Sequence, residues 1–204
     1  MKNLRDISSA ERAILDPAFG DNGILWMHVP DSTRTFARGV TATTDGTVFV
    51  ALEAVFGQHA PPGVGLAKLT PDGAPHPDFG TQGYAVYPHK LAESRAGKPF
   101  VLPNGDILLS GSWGPRYTPM LMRFRADGSL DESFADGGAQ SFDMKEHELD
   151  TADFVPMDDG RILVFGSATH KGIGSTDGIV ICLLSNGKFD LSFHRTGMLT
   201  LQFR

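Results

Sequence analysis

Cysteine is nearly missing from this chain of 204 residues. Cys182 stands alone, so no disulfide can form within the chain, and its place in the apolar run 178–184 reads as that of a small buried hydrophobe. Basic clusters are missing too. No two Lys or Arg residues are adjacent and the formal net charge is -6, which offers neither a nucleic acid nor an anionic membrane an electrostatic footprint. No segment approaches the roughly 18 apolar residues of a membrane span. Residues 1–13 lack the roughly 7–15-residue apolar stretch of a secretory leader, so the expectation is a cytoplasmic protein. There is no Gly-x-Ser-x-Gly, no phosphate loop, no Cys-x-x-Cys and no His-x-x-x-His. No cofactor is expected from such a sequence.

What is present points to an all-β chain. Gly 24 and Pro 13 against 21% charged residues imply many turns and short strands, and 41% hydrophobic content is enough for a core. The segment Asp16-Pro17-Ala18-Phe19-Gly20-Asp21-Asn22-Gly23 recurs as His76-Pro77-Asp78-Phe79-Gly80-Thr81-Gln82-Gly83. It returns around Phe134, from Asp131 to Gly138, and around Phe193, from Asp190 to Gly197. Two further signals fall between the copies at matching phase. One is a turn dipeptide before a β-rich run: Asp45-Gly46, Asn104-Gly105 and Asp159-Gly160. The other is an apolar run that ends at Asp72-Gly73, Asp127-Gly128 or Asn186-Gly187.

Asp-Gly and Asn-Gly suit tight turns that need positive φ, so each marks a reversal between neighbouring strands. Each period therefore predicts four strands: one before the first turn, one after it, one before the second turn, and one after the Phe motif. The last strands are expected near 24–29, 84–87, 139–142 and 198–203. The repeated phenylalanines read as packing anchors between blades.

At these residues, from about Leu15 to Phe203, the chain resembles the delta-60-type β-propeller repeat, a family of bacterial tandem repeats. The copy nearest its pattern is Phe124-Arg125-Ala126-Asp127-Gly128-Ser129-Leu130-Asp131-Glu132-Ser133-Phe134. His76 replaces the leading acid, and Ala135 and His194 replace the glycine after phenylalanine, so glycine does not fix the turn there. The resemblance implies a propeller fold and carries no reaction, substrate or catalytic residue.

The expected fold is thus β-propeller-like, with three four-stranded antiparallel blades over residues 16–204 and a surplus outer strand from the fourth Phe motif. Residues 1–15 form an N-terminal segment in which the capping-box spacing Ser8-Ser9-Ala10-Glu11 predicts a short helix over 8–15. Closed propellers use about 4–8 blades. Three blades would leave two apolar end faces bare, so a homodimer joined head-to-tail into a six-bladed ring is expected, with the surplus strand able to exchange as a closure strap.

Strand alternation puts the turns and Phe motifs at one end of the blades and the irregular connections at the other. Those connections, 28–35, 55–63, 88–95, 112–118, 144–151 and 168–177, hold the candidate ligand residues His28, Arg34, His59, His89, Trp113, Arg116, Tyr117, His147 and His170. Trp113, Arg116 and Tyr117 around Gly114-Pro115 form an aromatic and cationic loop suited to stacking on a sugar or a peptide side chain. The leading expectation is a non-catalytic module that binds a carbohydrate, peptide or protein. The alternative is a metal-assisted hydrolase or lyase built on His59, His89, His147 and His170.

Overall fold

The computed structural model describes residues 15–57, 60–88, 94–114 and 116–202. The helix expected over 8–15 lies outside them apart from Leu15. Twelve strands form three four-stranded antiparallel sheets in simple up-and-down order. Blade 1 holds β1 (Arg34–Ala42), β2 (Val48–Val55), β3 (Gly63–Leu69) and β4 (Tyr84–Pro88). Blade 2 holds β5 (Ser94–Val101), β6 (Ile107–Trp113), β7 (Thr118–Phe124) and β8 (Ala139–Ser141). Blade 3 holds β9 (His147–Pro156), β10 (Ile162–His170), β11 (Thr176–Leu183) and β12 (Met198–Leu201). This is the β-propeller-like architecture the repeat predicts. Among the described residues no helix is long and apolar enough to cross a membrane.

Local turn chemistry sets the strand boundaries. The Asx side chain of each first turn accepts the N–H two residues on, from Thr47 to Asp45, Asp106 to Asn104 and Arg161 to Asp159, at 3.0–3.1 Å. The Thr43 hydroxyl and the Thr47 N–H hold the Asp45 carboxyl down to about 2.

Alternate strand residues face the neighbouring blades, which produces one apolar cluster per junction. Phe49, Leu66 and Phe79 of blade 1 meet Ile107, Leu109 and Phe124 of blade 2. Leu108, Leu121 and Phe134 of blade 2 meet Phe154, Ile162 and Ile181 of blade 3. Phe79 and Phe134 are fully buried, each contributing roughly 1.5–3 kcal/mol.

Each Phe motif is a compact loop with the same bonds. The Phe N–H donates to the residue three before it, and the glycine four residues on donates to the Phe carbonyl, in all four copies. The residue after the phenylalanine is left-handed every time: Gly20 at φ 58°, Gly80 at 52°, Ala135 at 51° and His194 at 47°. The geometry therefore survives the loss of glycine at two copies, held by the motif's own bonds and, at Ala135, by the next blade as well. Gly80 N–H donates to the Asp127 carbonyl (2.8 Å) and Ala135 N–H to that of Asn186 (2.6 Å), each on the second turn of the following blade. A cation covers the rings of these two inner motifs, with Lys68 Nζ 6.0 Å from Phe79 and Arg123 4.7 Å from Phe134. Arg123 also bonds Asp131 and reaches the Ser185 carbonyl of blade 3 at 2.7 Å.

The chain ends differ from the sequence expectation. Residues 24–29 lie along blade 1 without pairing as a strand, and turn Leu25, Met27 and Val29 onto Val50, Leu52 and Leu69. Gly20 N–H donates to the Asp72 carbonyl of blade 1 at 2.8 Å, the same junction bond the Phe79 and Phe134 motifs make. Two bare end faces were expected; the first motif covers part of the blade 1 face, where Val40, opposite Val50, stays 64% exposed. The other end face belongs to blade 3, where Val155, Phe165 and Leu201 are exposed.

Two outcomes follow. Ala135→Gly removes left-handed strain at a junction and should raise stability by about 1 kcal/mol in urea titration; a lower midpoint would contradict the junction geometry. Burial pushes the Asp131 carboxyl up, but the bonds from Ser133 and Arg123 outweigh it and leave it below its ordinary value. Its contribution is complete above the unfolded value near ~3.9 and is lost as pH falls through the lower folded value. Asp131→Asn should therefore flatten the acid limb of stability below about pH 4, read as the urea midpoint against pH.

Candidate functional site

A groove of about 690 Å³ is lined chiefly by the first strand of each blade, β1, β5 and β9. Those strands are irregular where they meet it. Pairing shifts between Ala37 and Gly39 in β1, between Ala96 and Pro99 in β5, and against Phe165 and Gly166 in β9. Such bulges bend a strand and re-aim its side chains. Gly39 has no room for a side chain, since a Cβ there would lie 2.2 Å from the Gly97 carbonyl oxygen, so glycine lets β1 close on β5.

Ion pairs bind the bulges together. Arg38 meets Glu53 with two bonds, of 3.0 and 2.8 Å, and the buried Glu53 also accepts the Ala96 N–H of blade 2 at 3.1 Å. That carboxylate raises the Arg38 pKa through its hydrogen bond and its charge. Lys98 of blade 2 reaches Asp153 of blade 3 at 3.1 Å. Burial pushes the Asp153 carboxyl up, and the Phe154 N–H and Lys98 pull it further down, so it stays below its ordinary value.

One wall carries charge with no internal partner. The Arg95 guanidinium lies 4.1 Å over the Tyr117 ring, and Arg116 stands exposed beside it. Among the described residues no carboxylate pairs with either arginine. Glu148 and Asp150 of β9 line the same groove from blade 3.

Only part of the candidate set gathers here. Arg116 and Tyr117 line the groove, whereas Trp113, at the end of β6, packs against the core between blades 1 and 2. The loop thus divides: the tryptophan covers the blade end and its neighbours face the groove. His28 and Arg34 are exposed and lie outside the groove lining. His147 and His170 are cross-strand partners with ring centroids 5.1 Å apart, and His170 Nδ1 accepts the Gly172 N–H at 3.1 Å. His59 and His89 lie outside the described residues. Among the described residues no group of three or more His, Cys, Asp or Glu could hold a metal ion.

Sequence reasoning placed the chemistry in loops and missed Arg38, Glu53, Lys98 and Asp153, which sit on strands. It also took 94–95 and 147–151 as irregular, whereas Arg95, Glu148 and Asp150 belong to β5 and β9. The available signal was the pairing of glycine with a cation, Arg38-Gly39 and Gly97-Lys98, near the middle of two otherwise regular strands.

Residues 102–134 and 158–193 match the family described as a domain of unknown function (DUF5122) β-propeller. Both stretches run from the first turn of a blade to the phenylalanine of its Phe motif, in blades 2 and 3. They support a β-propeller repeat. No curated protein and no solved structure matches the chain.

Glu53→Ala should cost about 2 kcal/mol, because it strands the Ala96 N–H and unpairs Arg38. Glu53→Gln, which keeps an acceptor for Ala96, should cost about half as much. Equal losses in urea denaturation would show that the cross-blade bond carries nothing.

Proposed function

We propose that the chain is a non-catalytic binding module of delta-60-type repeats, whose groove recognises a carbohydrate, peptide or protein. In this reading two copies close a homodimeric six-bladed ring around the groove. The observation that carries the binding role is the set of Arg95, Arg116 and Tyr117 on blade 2, sharing one concave space with Glu148 and Asp150 of blade 3. Guanidinium groups without an internal partner want acceptors, and carboxylates want donors. Sugar hydroxyls and peptide groups present both within a few ångströms, and an aromatic face adds stacking area. The remaining charged pairs at the bulges support a rigid scaffold rather than a reacting centre: Lys98 with Asp153 ties blade 2 to blade 3, and Glu53, paired with Arg38 inside blade 1, also accepts the Ala96 N–H of blade 2.

Glycan and peptide arrays probed with the full chain test the reading. Arg116→Ala and Tyr117→Ala should each weaken a positive signal by roughly tenfold or more, as for residues at the centre of a binding site. Trp113→Ala should instead lower thermal stability. Array signals that neither Arg116→Ala nor Tyr117→Ala alters would move the site elsewhere.

A further inference from the structure

We propose that residues 15–29 are a removable self-cap, holding on blade 1 the place that the Phe193 motif of a second copy takes when the ring closes. The inference rests on the ring reading above and adds to it what occupies the junction beforehand. Every junction inside the chain is built alike: a Phe motif donates the N–H of its next residue to the second turn of the following blade. The fourth motif is formed in the same way. Phe193 N–H donates to Asp190, Gly197 N–H to Phe193, and His194 is left-handed at φ 47°. Among the described residues nothing accepts the His194 N–H.

A second copy offers only one matching acceptor outside its own internal junctions. The Asp127 and Asn186 carbonyls are used by Gly80 and Ala135, which leaves the Asp72 carbonyl of blade 1. In the single chain Gly20 holds that carbonyl at 2.8 Å. Two motifs thus compete for one socket.

Their anchoring differs. The Phe193 motif leads into β12, which pairs with β11 from Gly178↔Leu201 to Ile181↔Met198. Residues 25–29 pair with no strand, so the segment is held by its junction bond, by side-chain contact and, at its end, by Val29, whose N–H donates to the Thr35 hydroxyl at 2.9 Å and whose carbonyl accepts from the Ser32 hydroxyl at 2.7 Å. Phe19 is only half-buried and Trp26 is 85% exposed, whereas Phe79 and Phe134, backed by whole blades, are 0% exposed. A single segment covers part of a face that elsewhere takes a full sheet. A sheet-anchored competitor that brings Val155, Phe165 and Leu201, at 48%, 37% and 39% exposure, gains apolar burial that the cap cannot match.

Sedimentation of the full-length chain over a concentration series tests this, with folding checked by circular dichroism. Phe19→Asp should tighten dimerisation at least roughly tenfold, and Gly20→Pro, which removes the junction donor and cannot adopt the left-handed φ of 58° at that position, should act in the same direction. Phe165→Asp should abolish association in either background. A peptide of residues 15–29 added in excess should reverse the effect of Phe19→Asp. If the wild type dimerises through Phe165 but neither cap variant nor the peptide shifts it, the cap is wrong and the ring stands. If no folded variant associates at any concentration, the ring fails and the cap with it.

Discussion

One backbone N–H per blade, donated across to the next blade's turn, is the constraint from which the rest of the molecule follows. A four-stranded sheet with two apolar faces is unstable alone, and the Phe motif answers that by inserting a ring into the neighbouring face. The bond from Gly80 to Asp127, or from Ala135 to Asn186, fixes how deep the ring goes and how the next sheet is turned. By itself such a bond contributes about 1 kcal/mol, less than the roughly 1.5–3 kcal/mol of the ring it positions. Its importance lies in register: it sets which residues face each other over the whole junction.

Much of the fold was legible because it is written in local chemistry. Asp-Gly and Asn-Gly turns specify their own geometry, so three of them at one phase reveal strand order before any contact is known. Features imposed from a distance were hidden. Ala135 and His194 keep a left-handed backbone that their side chains disfavour, because the motif's own ring of bonds, and at Ala135 the turn of the next blade, demand it. Residues 24–29 read as a strand by their place after the Phe motif, yet a strand needs a partner edge, and the sequence cannot say that this one finds only a face.

The candidate site was half visible for a related reason. Arg116 and Tyr117 stand in a short connection where exposed polar and aromatic residues attract notice. Arg38, Glu53, Lys98 and Asp153 sit within strands, where charged residues at alternate positions usually mean a solvated face. Their meaning depends on bulges that align across three separate sheets, and alignment of that kind is a property of the packed blades. The groove is thus a consequence of the junctions: the Ala96 N–H of β5 donated to Glu53 of β2, and the salt bridge from β5 to β9, hold together the walls that the Phe motifs have placed.

Amide hydrogen exchange resolved at the four motifs measures this constraint most directly. The Gly80 and Ala135 amides should exchange as slowly as the strand core, Gly20 faster, and His194 fastest of the four in the single chain, with protection arising at His194 only on association. A His194 amide as protected as Gly80 in a monomeric sample, or a Gly80 amide that exchanges as fast as an exposed loop, would contradict it.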